Sequence, residues 1–268
     1  MAAKGQQRRR RGGTVPALAA VWLGAVLAAV PVVAAEVAAT VEWARRVALS
    51  TPVSGVVEAV PVQTGDAVEQ GDVLVRLDPR PLEAAVRRAR ARVDRTRPAR
   101  DEAKRELERS QQLYERTLLS KHDLQLAEIE YAAADAEHRE AQAALDQARL
   151  DLEYSVVRAP FAGYVLERSA EVGQTVVTRL EARPLVTLAE RGRLMARAEV
   201  AESAAAGLER DDEVAVMVDG RRYPGRVRSV GMEPVAGSEP PRYPVEVVFP
   251  YEAATPVRAG SEAKVILP

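Results

Sequence analysis

The sequence predicts an α+β, elongated, multidomain chain: a small β-sandwich split by a long antiparallel α-helical hairpin, followed by a small β-barrel. Three observations predict it. A β-type segment recurs at a constant offset of 108 residues, the stretch between its two copies contains no glycine and takes up a seven-residue apolar period, and the last third alternates short Val-rich runs with Gly and Pro turns.

The chain opens on a basic block, Arg8 to Arg11, followed by Val15 to Ala35 without a charged residue. This is the pattern of a secretory signal peptide, with Val33-Ala34-Ala35 offering small residues for cleavage. The same run is close to the ~20 residues that span a bilayer, so an uncleaved inner-membrane anchor over residues 1–35 is the alternative. Either way the basic flank directs the remainder out of the cytoplasm.

The repeat comes next. Pro52-Val53-Ser54-Gly55 is echoed by Pro160-Phe161-Ala162-Gly163, and Gly65-Asp66-Ala67-Val68 by Gly173-Gln174-Thr175-Val176. In each copy an apolar strand pattern follows the first glycine and a turn forms at the second, where glycine suits a positive φ. Val73 to Leu77 reads as a further strand. Two such half-motifs pair into one sandwich, over residues 40–78 and 154–189; the segment Thr40 to Ser50 adds a strand there or to the barrel.

Between the halves lies the hairpin, residues 79–153. Asp78-Pro79 is read as its start, with Asp78 as N-cap and Pro79 at the first helical position. In the first helix Val86, Val93, Leu107 and Tyr114 hold one seam position and Leu82, Ala89, Ala103 and Ser110 the other. Arg100 falls on the seam just after Pro98, which predicts a kink or weak packing. In the second helix Leu124, Tyr131, His138, Leu145 and Leu152 recur every seven residues, with Ala127, Ala134, Ala141 and Ala148 three residues after the first four of them. The chain reverses near Leu118 to Ser120, where Ser120-Lys121-His122-Asp123 resembles a capping box. Hinges are expected near Asp78 to Pro81 and Arg158 to Pro160.

Residues 190–268 return to strands: Leu194 to Val200, Glu213 to Val218, Arg222 to Val230, Tyr243 to Phe249 and Ala263 to Leu267, enough for a small barrel.

Composition narrows the chemistry. The net charge of −1 argues against nucleic acid as a partner. With no Cys there is no disulfide framework, thiolate metal site, catalytic thiol or lipidated anchor. His122 reads as a surface residue and His138 as a seam residue, and Met195, Met217 and Met232 are too dispersed in sequence for a metal site. No catalytic, cofactor-binding or metal-binding residues are assigned, and the chain is not read as an enzyme.

The strings "TPVSGVVEAVPVQTGDAVEQGDVLVRLDP", "LEYSVVRAPFAGYVLERSAEVGQTV" and "VRAGSEAKVIL", with the inserted hairpin, resemble the HlyD-like periplasmic adaptor (membrane fusion protein) family over residues 40–268. The first two look like its half-lipoyl segments and the third like its last barrel strand. The hairpin is most similar to that of resistance-nodulation-division efflux adaptors, which carry an Arg-x3-Leu-x6-Ser pattern at the tip. Arg109, Leu113 and Ser120 stand at those spacings, and the resemblance implies that they dock to the outer-membrane channel. Gln125 departs from the acidic residue that many relatives carry five positions after the serine. No membrane-proximal domain is seen in the sequence.

The resemblance further implies a periplasmic protein at the inner membrane, joining an inner-membrane transporter to a TolC-like outer-membrane channel and self-associating, commonly as six protomers. An adaptor of an ATP-binding-cassette exporter or secretion system, and a structural coiled-coil envelope protein, are the alternatives. A lipoyl or biotinyl carrier is not, because lysine occurs only at positions 4, 104, 121 and 264, never at the turn between the half-motifs.

Overall fold

The structure, a computed structural model, describes residues 35–178, 183–251 and 258–268. The predicted signal or anchor, residues 1–34 of it, lies outside the described residues. In chain order the elements begin with β1 (Ala35–Trp43), β2 (Arg46–Leu49), β3 (Gly55–Ala59), β4 (Ala67–Val68) and β5 (Val73–Leu77). Two long helices follow, α1 (Arg80–Glu115) and α2 (Lys121–Tyr154), then β6 (Val156–Arg158), β7 (Gly163–Arg168), β8 (Thr175–Val176), β9 (Val186–Glu190) and β10 (Arg193–Ala201). The short α3 (Glu202–Ala205) precedes β11 (Glu213–Val218), β12 (Arg221–Val230), β13 (Arg242–Pro250) and β14 (Glu262–Leu267).

The sequence repeat is realised as a pseudo-two-fold exchange. One sheet runs β6-β5-β3-β8 and the other β2-β9-β7-β4, so each copy lends its two-residue strand to the sheet of the other. The Val57 N–H donates to the Gln174 carbonyl at 2.9 Å, and the Val57 carbonyl accepts from the Gly173 N–H at 2.9 Å. At the equivalent places the Val165 N–H donates to the Asp66 carbonyl at 2.9 Å, and the Val165 carbonyl accepts from the Gly65 N–H at 2.8 Å. Gly65 and Gly173 have φ of 97° and 86°, which makes glycine the required residue at both turns. The sandwich core is aliphatic, built on Val57, Leu74, Val75, Leu77, Val165, Val186 and Leu188, with Phe161 its one large ring.

The two helices pair along the expected alanine-rich seam. Ala127, His138, Ala141, Leu145 and Ala148 of α2 are buried, as are Val93, Thr96, Ala103 and Ser110 of α1. At ~1.5 Å per residue, 36 and 34 residues make arms of roughly 50 Å. Ion pairs between Arg92 and Glu140 (3.2 Å) and Arg95 and Glu137 (3.0 Å) cross the seam on its exposed flank. Pairs of that kind contribute about 0.2–1 kcal/mol, so apolar contact along the seam matters more.

Three details depart from the sequence reading and one agrees with it. The helix starts at Arg80 with Pro79 as N-cap, while Asp78 sits one residue further out and accepts the Arg80 N–H at 3.1 Å. A proline at N-cap has no side-chain acceptor, so the carboxylate before it takes over the task. Helix α1 runs through Pro98 without ending, and the weak point expected just after it falls at Arg100. Its Nε is the one buried side-chain N or O among the described residues with no hydrogen-bond partner, although the Asp101 carboxylate stands 3.0 Å away. Tyr114 is 42% exposed, and Leu113 is half-buried in its place. Finally, the expected hinges are pinned. Arg158 pairs with Val73 in the sheet, the Ala159 N–H donates to the Asp72 carbonyl at 2.9 Å, and the Asp78 N–H donates to the Val56 carbonyl at 2.8 Å.

The remaining strands form a closed barrel in the order β1-β10-β13-β12-β11-β14, with β14 pairing back onto β1. Alternate residues point inward: Val41, Ala196, Val200, Val216, Val227, Val245, Val247, Phe249 and Val265 are all within 1% of full burial. The single strand expected over Thr40 to Ser50 is two strands in two different sheets. Thr40 to Trp43 belong to β1, which pairs with β10 in the barrel, and Arg46 to Leu49 form β2, which pairs with β9 in the sandwich.

Candidate functional site

The tip of the helical pair is built by two caps. Thr117, with φ 63°, takes the left-handed position after the C-cap of α1. Its N–H donates to the Tyr114 carbonyl at 2.8 Å, and the Leu118 N–H reaches back to the Leu113 carbonyl at 2.9 Å. These two bonds define a Schellman motif in which a threonine replaces the usual glycine. Ser120 then starts α2: its Oγ accepts the Asp123 N–H at 3.2 Å and donates to the Asp123 carboxylate at 2.6 Å. The hydroxyl half of the capping box read from the sequence is therefore present, while the Asp123 carboxylate binds the Ser120 hydroxyl.

The three residues singled out at the tip are placed as follows. Arg109 is largely exposed, with Glu106 4.0 Å from its guanidinium. Ser120 is exposed and occupied as the cap of α2. Leu113 is half-buried, not the exposed apolar residue that docking at that position would use. The exposed aliphatic side chains near the tip are Leu118 at 71%, Leu126 at 52% and Ile129 at 65%. Sequence reasoning passed over these three; the signal was present in Leu126 and Ile129, apolar residues at i, i+3 lying off the seam.

At the opposite end, hydrogen bonds tie the helical pair to the sandwich. The buried Thr51 hydroxyl donates to the Tyr154 carbonyl at 2.8 Å, and the Leu77 N–H donates to the Ser155 carbonyl at 2.8 Å. The Asp78 carboxylate binds the Arg80 guanidinium at 2.6 Å, and these side-chain hydrogen bonds hold its pKa below the ordinary carboxylate value.

The histidines lie where the sequence put them. His122 is exposed. His138 is 3% exposed in the seam, with Nδ1 3.0 Å from the Thr96 hydroxyl, which itself donates to the Val93 carbonyl at 3.2 Å. The methionines occupy separate elements: Met195 is buried in β10, Met217 half-buried in β11, and Met232 is 92% exposed in the loop after β12. Among the described residues no helix is long and apolar enough to cross a membrane.

Residues 45–189 match the CzcB-like barrel-sandwich hybrid domain family. The chain is 35% identical over 185 residues to the nodulation protein NolF of Rhizobium meliloti, covering 69% of this chain and 49% of NolF. It is 30% identical over 203 residues to the macrolide export protein MacA of Escherichia coli O157:H7, covering 69% of this chain and 55% of MacA. The chain thus spans about half the length of these curated relatives. Among solved structures, a MacA-MexA chimera carrying the Pseudomonas aeruginosa MexA α-hairpin domain aligns with a TM-score of 0.64 at 22% identity, over 87% of this chain and 80% of the chimera. The membrane fusion protein Spr0693 of Streptococcus pneumoniae R6 aligns with a TM-score of 0.66 at 16% identity, over 87% of this chain and 98% of that one. At these identities the structural likeness is one of fold.

Proposed function

The chain belongs to the HlyD-like membrane fusion, or periplasmic adaptor, family, whose members are non-enzymatic linkers, and on that premise we propose that it is the adaptor of a tripartite efflux or export system. In this reading it lies in the periplasm at the inner membrane, joins an inner-membrane transporter to a TolC-like outer-membrane channel, and self-associates as a ring, commonly of six. The observation that carries the proposal is the paired α1 and α2. They issue from between the two halves of a sandwich, are tied down at their base, and end in a doubly capped tip with Arg109, Leu118 and Ser120 at the surface. A core element would bury such a face; a docking arm leaves it free. Relatives named for macrolide export and multidrug resistance support a small-molecule cargo.

Arg109, Leu113 and Ser120 remain the proposed channel-docking set, with divided labour. Arg109 supplies the exposed cation. Ser120 and Leu113 shape the tip from within, one by capping α2 and the other as the residue whose carbonyl closes the Schellman turn. Leu118 carries the apolar contact.

Photo-crosslinking in cells from a probe at Leu118 tests this, with Arg109→Asp and Ser120→Arg as controls. Capture of an outer-membrane channel, lost in both controls, is the expected result. Capture of the chain alone, with export unimpaired in the controls, overturns the docking assignment.

A further inference from the structure

The outer wall of the barrel carries a basic groove that the tip-docking reading does not use. It has a volume of about 1350 Å³ and lies over β11, β12 and the end of β14. Strand β12 alternates strictly at its centre: Gly225 and Val227 face inward, while Arg222, Pro224, Arg226 and Arg228 face out. Arg210, from the loop before β11, lines the same groove. Arg226 pairs with Glu213 at 2.7 Å, and Arg228 donates to the Ala44 carbonyl at 2.8 Å. Arg210 and Arg222 have no partner among the described residues. Six arginines line the groove against the side-chain carboxylates of Glu190, Asp211 and Glu213, and Glu190 is taken up by Arg193 at 2.6 Å, so the side chains present a surplus of guanidinium groups.

Its position bears on what it binds. The uncharged run read from the sequence ends at Ala35, which is also the first residue of β1. Its neighbour Glu36 pairs with Ile266, Ile266 with Ala215, and Ala215 with Pro224 at the centre of the basic row. At ~4.8 Å per strand, the arginines are about 14 Å round the wall from where β1 begins. In the anchored alternative that run spans the bilayer, and in the sequence no residue separates it from β1.

We propose that this groove docks the barrel onto the phosphate groups of anionic phospholipids. Guanidinium groups suit that partner because their planar donor pairs match phosphate oxygens, and they are more weakly hydrated than ammonium groups. The inference rests on the anchored form of the adaptor reading and adds to it a second, lipid-borne contact that fixes the tilt of the barrel on the membrane.

The natural absence of Cys permits a single label at Pro224→Cys, an exposed position where loss of proline costs the strand nothing. The full chain is reconstituted into vesicles of phosphatidylcholine alone or of phosphatidylcholine with phosphatidylglycerol. Flotation reports insertion, and quenching of the label by lipid-borne nitroxide reports docking of the barrel. Flotation with both vesicle types is expected, with quenching only where phosphatidylglycerol is present. Raising the salt from about 0.05 M to about 0.5 M abolishes the quenching. Arg210→Glu and Arg222→Glu each weaken it about fivefold or more without lowering the unfolding temperature, since neither side chain has a partner to lose, and Arg222→Lys largely retains it. Equal quenching with phosphatidylcholine alone, survival of the signal in both charge reversals, or quenching that appears only when a transporter is co-reconstituted overturns the lipid assignment while leaving the adaptor reading intact. A chain that does not float overturns the anchored form and this inference together.

Discussion

The barrel and the helical pair are stabilised in different ways although the same few residue types build both. The barrel closes a continuous ring of strands around a cluster that includes Val41, Val200, Val216, Val245, Val247, Phe249 and Val265, each withdrawn from solvent almost completely. The helical pair has a buried cluster of only Val93, Ala141 and Leu145, with Val86 and Ala89 half-buried beside it, strung along arms of roughly 50 Å. A barrel residue is surrounded on all sides by other parts of its own unit; a seam residue is covered from one direction. Damage in the β units should therefore be felt globally, and damage in the helices locally. A unit that gives way locally suits an arm that docks, and a unit that does not suits a base that holds it.

The largest expected effect lies in the sandwich, the other β unit. Gly163 opens β7, and a Cβ there would stand 2.1 Å from the Ala189 carbonyl oxygen of the paired strand. A backbone atom cannot rotate away, so Gly163→Ala must part β7 from β9. Gly163→Ala is expected to cost about 3–5 kcal/mol and to lower the unfolding temperature by roughly 10 °C, measured by calorimetry. An unchanged transition would show that the sandwich yields as easily as the arm, and the contrast between the two regions would collapse.

A smaller and more confined loss is expected in the arm. Leu145 is 7% exposed and is the largest side chain in the seam cluster. Leu145→Ala removes about 2 kcal/mol, the low end for a buried leucine because the seam can close on the space. Hydrogen exchange should quicken for amides between Val86 and Thr96 and between His138 and Ala148, with the amides of β10 and β13 untouched. Spread of the effect into the barrel would mean that the base of the arm transmits strain, making arm and barrel one cooperative unit.

How far these regions were legible in the sequence follows from the same physics. The sandwich declared itself because a pseudo-two-fold exchange needs the same turn twice, and Gly65 and Gly173 mark it at a constant interval. The helical seam was legible because a heptad survives wherever one helix face is covered. It failed at the last turn of α1. There the Schellman turn folds Leu118 back toward Leu113, so cap geometry decides what is covered and Tyr114 is left outside. The split of Thr40 to Ser50 between two sheets was not legible, since neither Gly nor Pro interrupts Trp43-Ala44-Arg45-Arg46. The exit from the barrel there is set by tertiary partners: Trp43 lies 6.2 Å from Tyr164 in the sandwich, and the Arg45 guanidinium lies 4.3 Å over Phe161. At the tip, the Ser120 cap was legible from the spacing of Ser120 and Asp123. The exposed Leu118 was not, because exposure in a reversal depends on the turn type, and Thr117 is an unexpected residue for a left-handed position.

Thr117 provides the finest test of the contrast between a rigid base and a yielding arm. A β-branched residue in the left-handed region costs about 1–2 kcal/mol, and a glycine there would instead cost about 0.5–1 kcal/mol in unfolded-chain entropy. Thr117→Gly is therefore expected to stabilise the tip by roughly 0.5–1 kcal/mol, the difference between the two. The readout is the exchange rate of the Leu118 amide, whose N–H bonds the Leu113 carbonyl across the turn. It should slow severalfold while the global unfolding temperature stays put, because closing the tip more firmly adds nothing to units that melt on their own cores. Faster exchange would mean that the threonine side chain holds the turn through a contact that glycine cannot make, and that the tip is more tightly built than the seam beneath it.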